Sequence, residues 1–283
     1  MYKTRIAFIA AVLSLVSALP LSAQHKNSAC YKITTNQFEQ KVLDSSPQKL
    51  VTLKNKKGAA TFKVEVTDCA GNLNAVQFEK ELCSEVAFLN ATDLIDFESE
   101  KIQELSKKLS LENMEPLMAA KTALNFTKSA IQYDRDLAAE ISRGTSFGRS
   151  ASETLNEGRG TCSEYTNVFI ALMRLNKIPC KFISGLYVND RTPPASKNSS
   201  NKHNSTQPQF MLHAWAEVFI PEIGWVPCDP QAGLLGTTKN HIKLLEGSDF
   251  KTSGADFSKL AVQLSRITNN RPCNHRKPHI SRF

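Results

Sequence analysis

The sequence predicts an α+β protein, in which strand-forming and helix-forming stretches are separated along the chain. Three observations support this class. Residues 24–91 alternate short apolar runs with polar turns, residues 92–176 place apolar side chains at helical spacing, and residues 181–229 return to strand patterns. The chain has 283 residues, of which 41% are hydrophobic and 22% are charged. This composition is that of a globular protein with one large domain and room for a smaller appendage.

The first 23 residues have the pattern of a secretory signal. Lys3 and Arg5 precede the apolar run 6–16, and the segment ends in small residues that are typical of a cleavage region. The run is short for a spanning helix, which argues against a retained membrane anchor. A lipid-anchored Cys30 is a weaker alternative, because the residues before it lack the apolar position of a lipid-attachment signal. We therefore expect a secreted or periplasmic protein with no stable membrane span after signal removal.

The seven cysteines of an exported chain are expected to include disulfides, because oxidising compartments preserve them. If one of the seven is a catalytic thiol, six are left that could form up to three bridges, and their pairing cannot be read from the sequence. These six are Cys30, Cys69, Cys83, Cys180, Cys228 and Cys273. The alternative is that several of them are small buried hydrophobic residues.

The charge balance is mildly basic, since Lys and Arg outnumber Asp and Glu by 35 to 27 and the formal net charge is +8. Such an excess favours acidic surfaces or cell-wall polymers as neighbours. The sequence has no finger motif and no interleaving of aromatic and basic residues. We therefore expect no nucleic-acid partner.

The pattern divides the mature chain into three parts. Residues 24–91 are expected to form a small β-rich segment, residues 92–250 the main domain, and residues 251–283 a C-terminal extension with a basic tail. Within the first part, strands are predicted over 49–53 and 61–66. The elements predicted after it are helices over 93–109, 116–131 and 161–176, strands over 181–188, 211–220 and 225–229, and loops over 142–150 and 189–209. Residues 133–136 are expected to end the second helix.

Cys162 stands at the start of the most apolar predicted helix, directly after the flexible segment 158–160. A helix N-terminus carries partial positive charge and free N–H groups, and both favour a thiolate over a thiol. The position therefore makes Cys162 a candidate nucleophile. The competing interpretation is a buried or disulfide-bonded cysteine.

The predicted hairpin over 211–229 brings a histidine and an aspartate together. Strand alternation puts His213 and Trp215 on one face and a row of apolar residues on the other, which we expect to face the core. The turn returns the second strand alongside the first, so Asp229 is expected within a few residues of His213. A carboxylate there can fix the imidazole tautomer and stabilise the imidazolium. A lone histidine or an Asp-Pro turn is more often structural, and the combination with Cys162 is what indicates a site.

Three blocks of sequence resemble the core of the transglutaminase-like superfamily. They are Gly158-Arg159-Gly160-Thr161-Cys162-Ser163-Glu164-Tyr165 with the later Ile178-Pro179-Cys180-Lys181, then His213-Ala214-Trp215-Ala216-Glu217-Val218, then Gly224-Trp225-Val226-Pro227-Cys228-Asp229-Pro230. The resemblance covers about residues 92–250, and the order of the blocks is specific. Papain-like enzymes share the order of cysteine and histidine, but their histidine lies much farther downstream.

The resemblance implies a helix that carries Cys162 and packs on an antiparallel sheet that carries His213 and Asp229. It also implies that Cys162 is the nucleophile, His213 the base and Asp229 its orienting partner, acting on peptide, protein or cell-wall amides without a cofactor or a metal. Water or an amine can resolve the acyl-enzyme, and we expect hydrolysis, because exported members without accessory β-sandwich domains resemble hydrolases. The backbone N–H of Cys162 is one candidate oxyanion donor.

The sequence departs from the family pattern in two places. Lys177 stands where the family usually has a glycine before Ile-Pro, and the loop 189–209 is longer than in compact members. The first 90 residues lie outside the resemblance.

Two other functions compete with an amide-cleaving enzyme. Cysteine, histidine and aspartate are possible zinc ligands, but the deaminase pattern is absent, because His213 is followed by Glu217 four places later and Cys228 lacks a second nearby cysteine. Transglutaminase-like domains also occur as non-catalytic binding modules. All three triad positions are filled here, which argues against that reading.

Overall fold

The computed structural model describes residues 27–80, 85–189, 209–256 and 258–267. The predicted signal segment, almost all of the predicted loop 189–209, Cys83, and the basic tail with Cys273 lie outside these residues.

The described residues form six α-helices and eleven strands. The helices are α1 Gln40–Leu43, α2 Glu100–Lys108, α3 Pro116–Ala130, α4 Arg135–Arg143, α5 Ala151–Glu157 and α6 Cys162–Leu175. The strands are β1 Ser28–Thr35, β2 Gln48–Lys56, β3 Ala59–Thr67, β4 Gln132–Tyr133, β5 Arg159–Gly160, β6 Cys180–Asn189, β7 Gln209–Ile220, β8 Gly224–Asp229, β9 Leu234–Leu235, β10 His241–Gly247 and β11 Val262–Arg266. This mixture of helices and antiparallel sheets confirms the predicted α+β class.

The larger sheet has the strand order β10-β6-β7-β8-β9, and its neighbouring strands are antiparallel. The predicted hairpin is confirmed as β7 and β8, in which Ala216 pairs with Cys228. The apolar face of β7 packs against α6 in one core that also takes in residues of α2 and α3. The predicted helix that carries Cys162 therefore lies on an antiparallel sheet.

The smaller sheet has the order β11-β1-β3-β2. Its strands β2 and β3 cover the two strands predicted in the N-terminal segment. Its edge strand β11 comes from the other end of the chain and pairs with β1, so that Ile33 lies opposite Leu264. A second apolar cluster joins this sheet to the larger one through residues of β6 and β10, among them Leu186 and Ile242.

Polar contacts of a buried lysine in the larger sheet also link the two sheets. The ammonium group of Lys243 in β10 lies 2.7 Å from the carboxylate of Glu217 in β7, and it donates a hydrogen bond to the backbone oxygen of Ser46 at 2.8 Å. Gln48 of β2 accepts from the backbone N–H of Lys243 and donates to its carbonyl oxygen. The smaller sheet is therefore fixed to strand β10 of the larger sheet.

The start of one predicted helix is wrong, and another helix was not predicted. The first helix begins at Glu100 and not at residue 93, because Asp96 instead accepts hydrogen bonds from Ser150 and Ser152 at the start of α5. Residues 133–136 do not simply end a helix. Asp134 caps the N-terminus of α4, which the sequence analysis missed, by accepting from the backbone N–H of Leu137 at 3.2 Å.

Across the described ranges, no helix is both long and apolar enough to cross a membrane.

Candidate active site

Cys162 is the first residue of α6, and a capping box sets the geometry of this helix start. The Thr161 side chain accepts from the backbone N–H of Ser163 at 3.3 Å, and the carboxylate of Glu164 accepts from the Thr161 N–H and hydroxyl, both at 2.7 Å. Gly160 is required beside this box, because a Cβ there would lie 2.4 Å from the Cβ of Glu164. The box leaves the side chain of Cys162 half-buried at the positive end of the helix.

The buried Glu164 carboxylate is a structural part of the site. Burial raises its pKa, although the hydrogen bonds from Thr161 and from the Arg149 N–H act in the opposite direction. The Arg149 N–H lies 3.1 Å from this carboxylate. Glu164 therefore ties the start of α6 to the segment that leads into α5.

His213 lies in the middle of the larger sheet, on β7 and opposite Gly185 of β6. Its ring is buried, and its Nε2–H donates to Oδ2 of Asp229 at 2.9 Å. Asp229 is the last residue of β8, and its second oxygen, Oδ1, accepts from the backbone N–H of Ala232 at 3.0 Å. The predicted approach of the histidine and the aspartate across the hairpin is therefore present in the structure.

The thiol of Cys162 interacts with His213 through hydrogen bonding and charge. Since Nε2 is bonded to Asp229, the imidazole nitrogen left for the thiol is Nδ1. Burial favours the neutral ring, but the hydrogen bonds and charges of Asp229 and Cys162 outweigh it and raise the pKa of His213 to about 10. At neutral pH, His213 is therefore an imidazolium that can donate a proton from Nδ1.

A second histidine, His241, contacts the same carboxylate. Its Nε2 lies 3.1 Å from Oδ2 of Asp229, and its Nδ1 lies 3.0 Å from the hydroxyl of Thr238. Burial and the charge of His213 lower the pKa of His241, despite the opposing effect of Asp229. Burial would favour a neutral Asp229, but the hydrogen bonds from the two histidines outweigh it and hold the pKa of this carboxyl well below its usual range.

Sequence reasoning missed His241, which is the first residue of β10. The only signal was a histidine two places before a lysine in an apolar stretch, and such a pattern does not indicate which strand lies next to it. The sheet order shows what brings His241 to the site, because β10 lies beside β6 and β6 beside β7.

Gly185 makes room for this arrangement. A Cβ at this position would lie 2.2 Å from the carbonyl oxygen of Ile242 and 2.6 Å from the Trp215 ring. With no side chain there, the rings of His241 and Trp215 meet edge to face, with centroids 5.4 Å apart. The ring of Tyr187 packs edge to face against His241 at 5.0 Å. The glycine is therefore a packing requirement of the site.

The residues that could hold a metal in the structure differ from the cysteine, histidine and aspartate that the sequence suggested as possible zinc ligands. Single ligand atoms of His213, Asp229 and His241 all lie within 4.8 Å of one another, and Cys162 is not in this group. Both histidines already donate to the carboxylate, so hydrogen bonds account for the positions of all three side chains.

The other thiols in the described residues differ from Cys162. Cys69, Cys180 and Cys228 are free and fully buried. Burial raises the pKa of Cys69 to about 11, and it also raises the pKa values of Cys180 and Cys228 well above that of an ordinary thiol. A framework of three disulfides among the six non-catalytic cysteines is therefore wrong, and at these positions the buried-hydrophobe alternative holds.

The fold and the geometry of the site define a domain in which a cysteine on a helix meets a histidine and an aspartate on a sheet. A model of the transglutaminase-like superfamily matches residues 103–230. Residues 103–230 are therefore a transglutaminase-like domain, as the sequence resemblance predicted.

Similarity to individual proteins is partial. The chain is 28% identical over 97 residues to the uncharacterized protein YebA of Bacillus subtilis, a match that covers 34% of this chain and 12% of that protein. A presumed cysteine protease from Cytophaga hutchinsonii superimposes with a TM-score of 0.49 and 16% identity, covering 85% of this chain and 86% of that one. The periplasmic domain of TgpA from Pseudomonas aeruginosa superimposes with a TM-score of 0.39 and 16% identity, and the match covers 62% of this chain and 55% of that one.

Proposed function

We propose that this chain is an exported cysteine hydrolase that cleaves peptide or related amide bonds. In this proposal Cys162 is the nucleophile, His213 the general acid and base, and Asp229 the group that orients His213. The observation that supports it most strongly is the 2.9 Å hydrogen bond between His213 and Asp229. This bond commits Nε2 to the carboxylate and leaves Nδ1 for the thiol, as proton transfer at sulfur requires.

The proposed reaction has two stages. The Cys162 sulfur attacks the amide carbonyl carbon, and the carbonyl π electrons move to oxygen. When the intermediate collapses, the C–N bond breaks and His213 gives its Nδ1 proton to the leaving amine, which yields a thioester. Neutral His213 then takes a proton from water as the water oxygen attacks the thioester. When this second intermediate collapses, the bond between the carbonyl carbon and the Cys162 sulfur breaks. This step releases the carboxylic acid and leaves the free sulfur and the imidazolium as at the start.

The proposed substrates are peptides, proteins or cell-wall polymers that carry an amide. We propose no nucleic-acid partner. The exposed Tyr133 lies beside the site, because its backbone pairs with that of Gly160, two residues before Cys162. Burial, and then the negative charges of Cys162 and Glu164, raise the pKa of this tyrosine.

Thiol labelling tests whether Cys162 is activated. We expect iodoacetamide to modify Cys162 faster than any other described thiol, and Cys162→Ala to abolish cleavage of a reporter peptide amide without changing thermal stability. Cys69, Cys180 and Cys228 serve as internal controls in the same digest, because they are free but buried. Equal labelling of all four, with no turnover, would show a non-catalytic binding module instead.

A partitioning experiment separates hydrolysis from acyl transfer. The reporter amide is supplied with and without an excess of a primary amine, and the products are identified by mass spectrometry. Hydrolysis predicts free acid as the main product at low amine concentration. A dominant amine adduct under the same conditions would replace the hydrolase proposal with a cross-linking acyl transferase.

Export is the third part of the proposal. It predicts a mature chain that begins near Gln24 and has at least one disulfide. The possible bridges narrow to Cys30, Cys83 and Cys273, because the other non-catalytic cysteines are free thiols. Intact mass before and after reduction tests both statements, and a secreted chain that retains Met1 and has seven free thiols would contradict them.

A further inference from the structure

We propose that His241 is a positioning residue of this site, whose Nε2–H holds the Asp229 carboxylate in place for His213. This inference rests on the proposed function, and it assigns a role to a residue outside the three predicted ones. The distance of 3.1 Å between His241 Nε2 and Asp229 Oδ2 carries it, because that oxygen is also the one bonded to His213.

The tautomer of His241 follows from its two contacts. Asp229 is ionised and can only accept, so the proton of a neutral His241 must lie on Nε2. Nδ1 then has a lone pair, which accepts from the Thr238 hydroxyl at 3.0 Å. Asp229 thus selects the tautomer, and the Thr238 hydroxyl matches it; the Thr238 carbonyl oxygen lies farther from Nδ1, at 3.4 Å.

The neutral state of His241 follows from its surroundings. The ring is 2% exposed, and the groups that face it are Asp229, Thr238, Tyr187, Trp215 and the imidazolium of His213. One carboxylate is already paired with one cation there, and a second cation would be buried without a counter-ion. His241 can therefore donate a hydrogen bond without competing for the charge of Asp229.

The consequence for catalysis lies in the geometry of Asp229. Its Oδ1 accepts from the Ala232 N–H, and its Oδ2 accepts from His241 as well as from His213. A carboxylate held on both oxygens keeps the His213 ring, and hence Nδ1, in one orientation. Without His241, only His213 would donate to Oδ2. The oxygen that should orient the His213 ring would then itself be oriented by that ring.

The test compares His241→Phe, which keeps a ring but has no donor, with His241→Gln, whose side-chain amide can still donate. We expect His241→Phe to lower kcat on the reporter amide about 10- to 100-fold, as loss of an orienting partner does at metal sites, with KM changed less than kcat. His241→Gln should recover most of the loss. If both variants lose activity equally, or if neither does, His241 does not act by hydrogen bonding and the proposal is wrong.

Proton NMR gives a readout that does not depend on turnover. The Nε2–H resonance of His213 should lie far downfield in the wild type, move upfield in His241→Phe and stay near its place in His241→Gln. Nitrogen shifts should show His241 neutral with its proton on Nε2, a measurement on the wild type that needs no variant. A proton on Nδ1, or an unchanged His213 resonance in His241→Phe, would overturn the proposal. An inactive wild type that shows the expected resonances would contradict the proposed function alone.

Discussion

Asp229 Oδ2 accepts a hydrogen bond from each of two buried imidazoles, yet the two rings differ in charge. Burial favours the neutral form of His213, but Asp229 and then Cys162 outweigh it and raise the pKa of this histidine. The Nδ1 atom of His241 lies next to the Thr238 hydroxyl instead. Burial together with the charge of His213 keeps His241 neutral. The difference between the two histidines around one oxygen thus follows from the balance between burial and the charged partners of each ring.

This charge state predicts how stability depends on pH. The pKa of His213 is raised to about 10, above the value of about 6.5 for an unfolded chain. The stabilisation that it supplies is therefore fully present below about pH 6.5 and is lost as the pH rises through about 10. Asp229→Asn removes the main anionic partner and should flatten this decline. Thermal unfolding measured from pH 6 to 11 tests it, with the exposed Asp93→Asn as a control that should follow the wild type.

Lys177 offers a second prediction at this scale. It ends α6 in the left-handed region, with φ of 60°, where the Lys177 and Ile178 N–H groups bond back to the carbonyls of Arg174 and Met173. This conformation explains why glycine is usual at the position. We expect Lys177→Gly to raise the free energy of unfolding by about 1 kcal/mol. Urea denaturation measures the gain, and Lys177→Ala, which keeps a Cβ, should show none.

At the scale of elements, the sheet order decides which side chains meet. Strand β6 separates β10 from β7, and at Gly185, which has no side chain, rings from the two outer strands meet above it. His241 and Trp215 occupy this space. The hairpin alone would bring His213 to Asp229, but the wider site depends on a strand that is not next to it.

Gly185→Ala should disturb both stability and the site. The new methyl group would lie 2.2 Å from the Ile242 carbonyl oxygen and 2.6 Å from the Trp215 ring, so one of them has to move. We expect a loss of about 1–3 kcal/mol in the free energy of unfolding and a fall in kcat. Gly58→Ala is a useful control, because a Cβ there meets nothing within 4 Å and costs only the strain of its φ of +82°. Equal losses in both variants would contradict the packing role of Gly185.

Whether a feature could be predicted from the sequence depended on how far apart its interacting residues lie along the chain. The positions of Cys162, His213 and Asp229 could be predicted because a helix start and a tight hairpin are local structures, and local sequence patterns determine where their residues lie. The position of His241 could not be predicted, because it depends on the order of strands that are distant in sequence. The helix α4 was missed for another reason, since Asp134 is as suitable for starting a helix as for ending one.

At the scale of the whole molecule, the two sheets share an apolar cluster to which β1, β3, β6, β10 and β11 all contribute. Lys243 and Gln48 add polar contacts across the same boundary. The N-terminal segment is thus attached to the core by side chains of several strands, and we expect the described residues to unfold as one unit.

Leu264→Ala tests this expectation. Leu264 is buried in β11, at the edge of the smaller sheet, and its truncation should cost about 2–5 kcal/mol. If the molecule is one unit, the urea transition of Trp215 and Trp225 fluorescence, which reports on the larger sheet, should shift together with the transition in circular dichroism. Gln263→Ala, an exposed neighbour, should leave both in place. Separate transitions would show that the two sheets unfold independently.

The pairing of β1 with β11 also has a consequence for the order in which the protein can assemble. A chain is synthesised and exported from its amino end, so β1 emerges early, and it can pair with β3 once residue 67 has followed. Its other neighbour does not exist until residues 262–266 have been made. His241 likewise appears after Cys162, His213 and Asp229. Cys162, the proposed nucleophile, is therefore present in the growing chain well before His241 and β11 have been made.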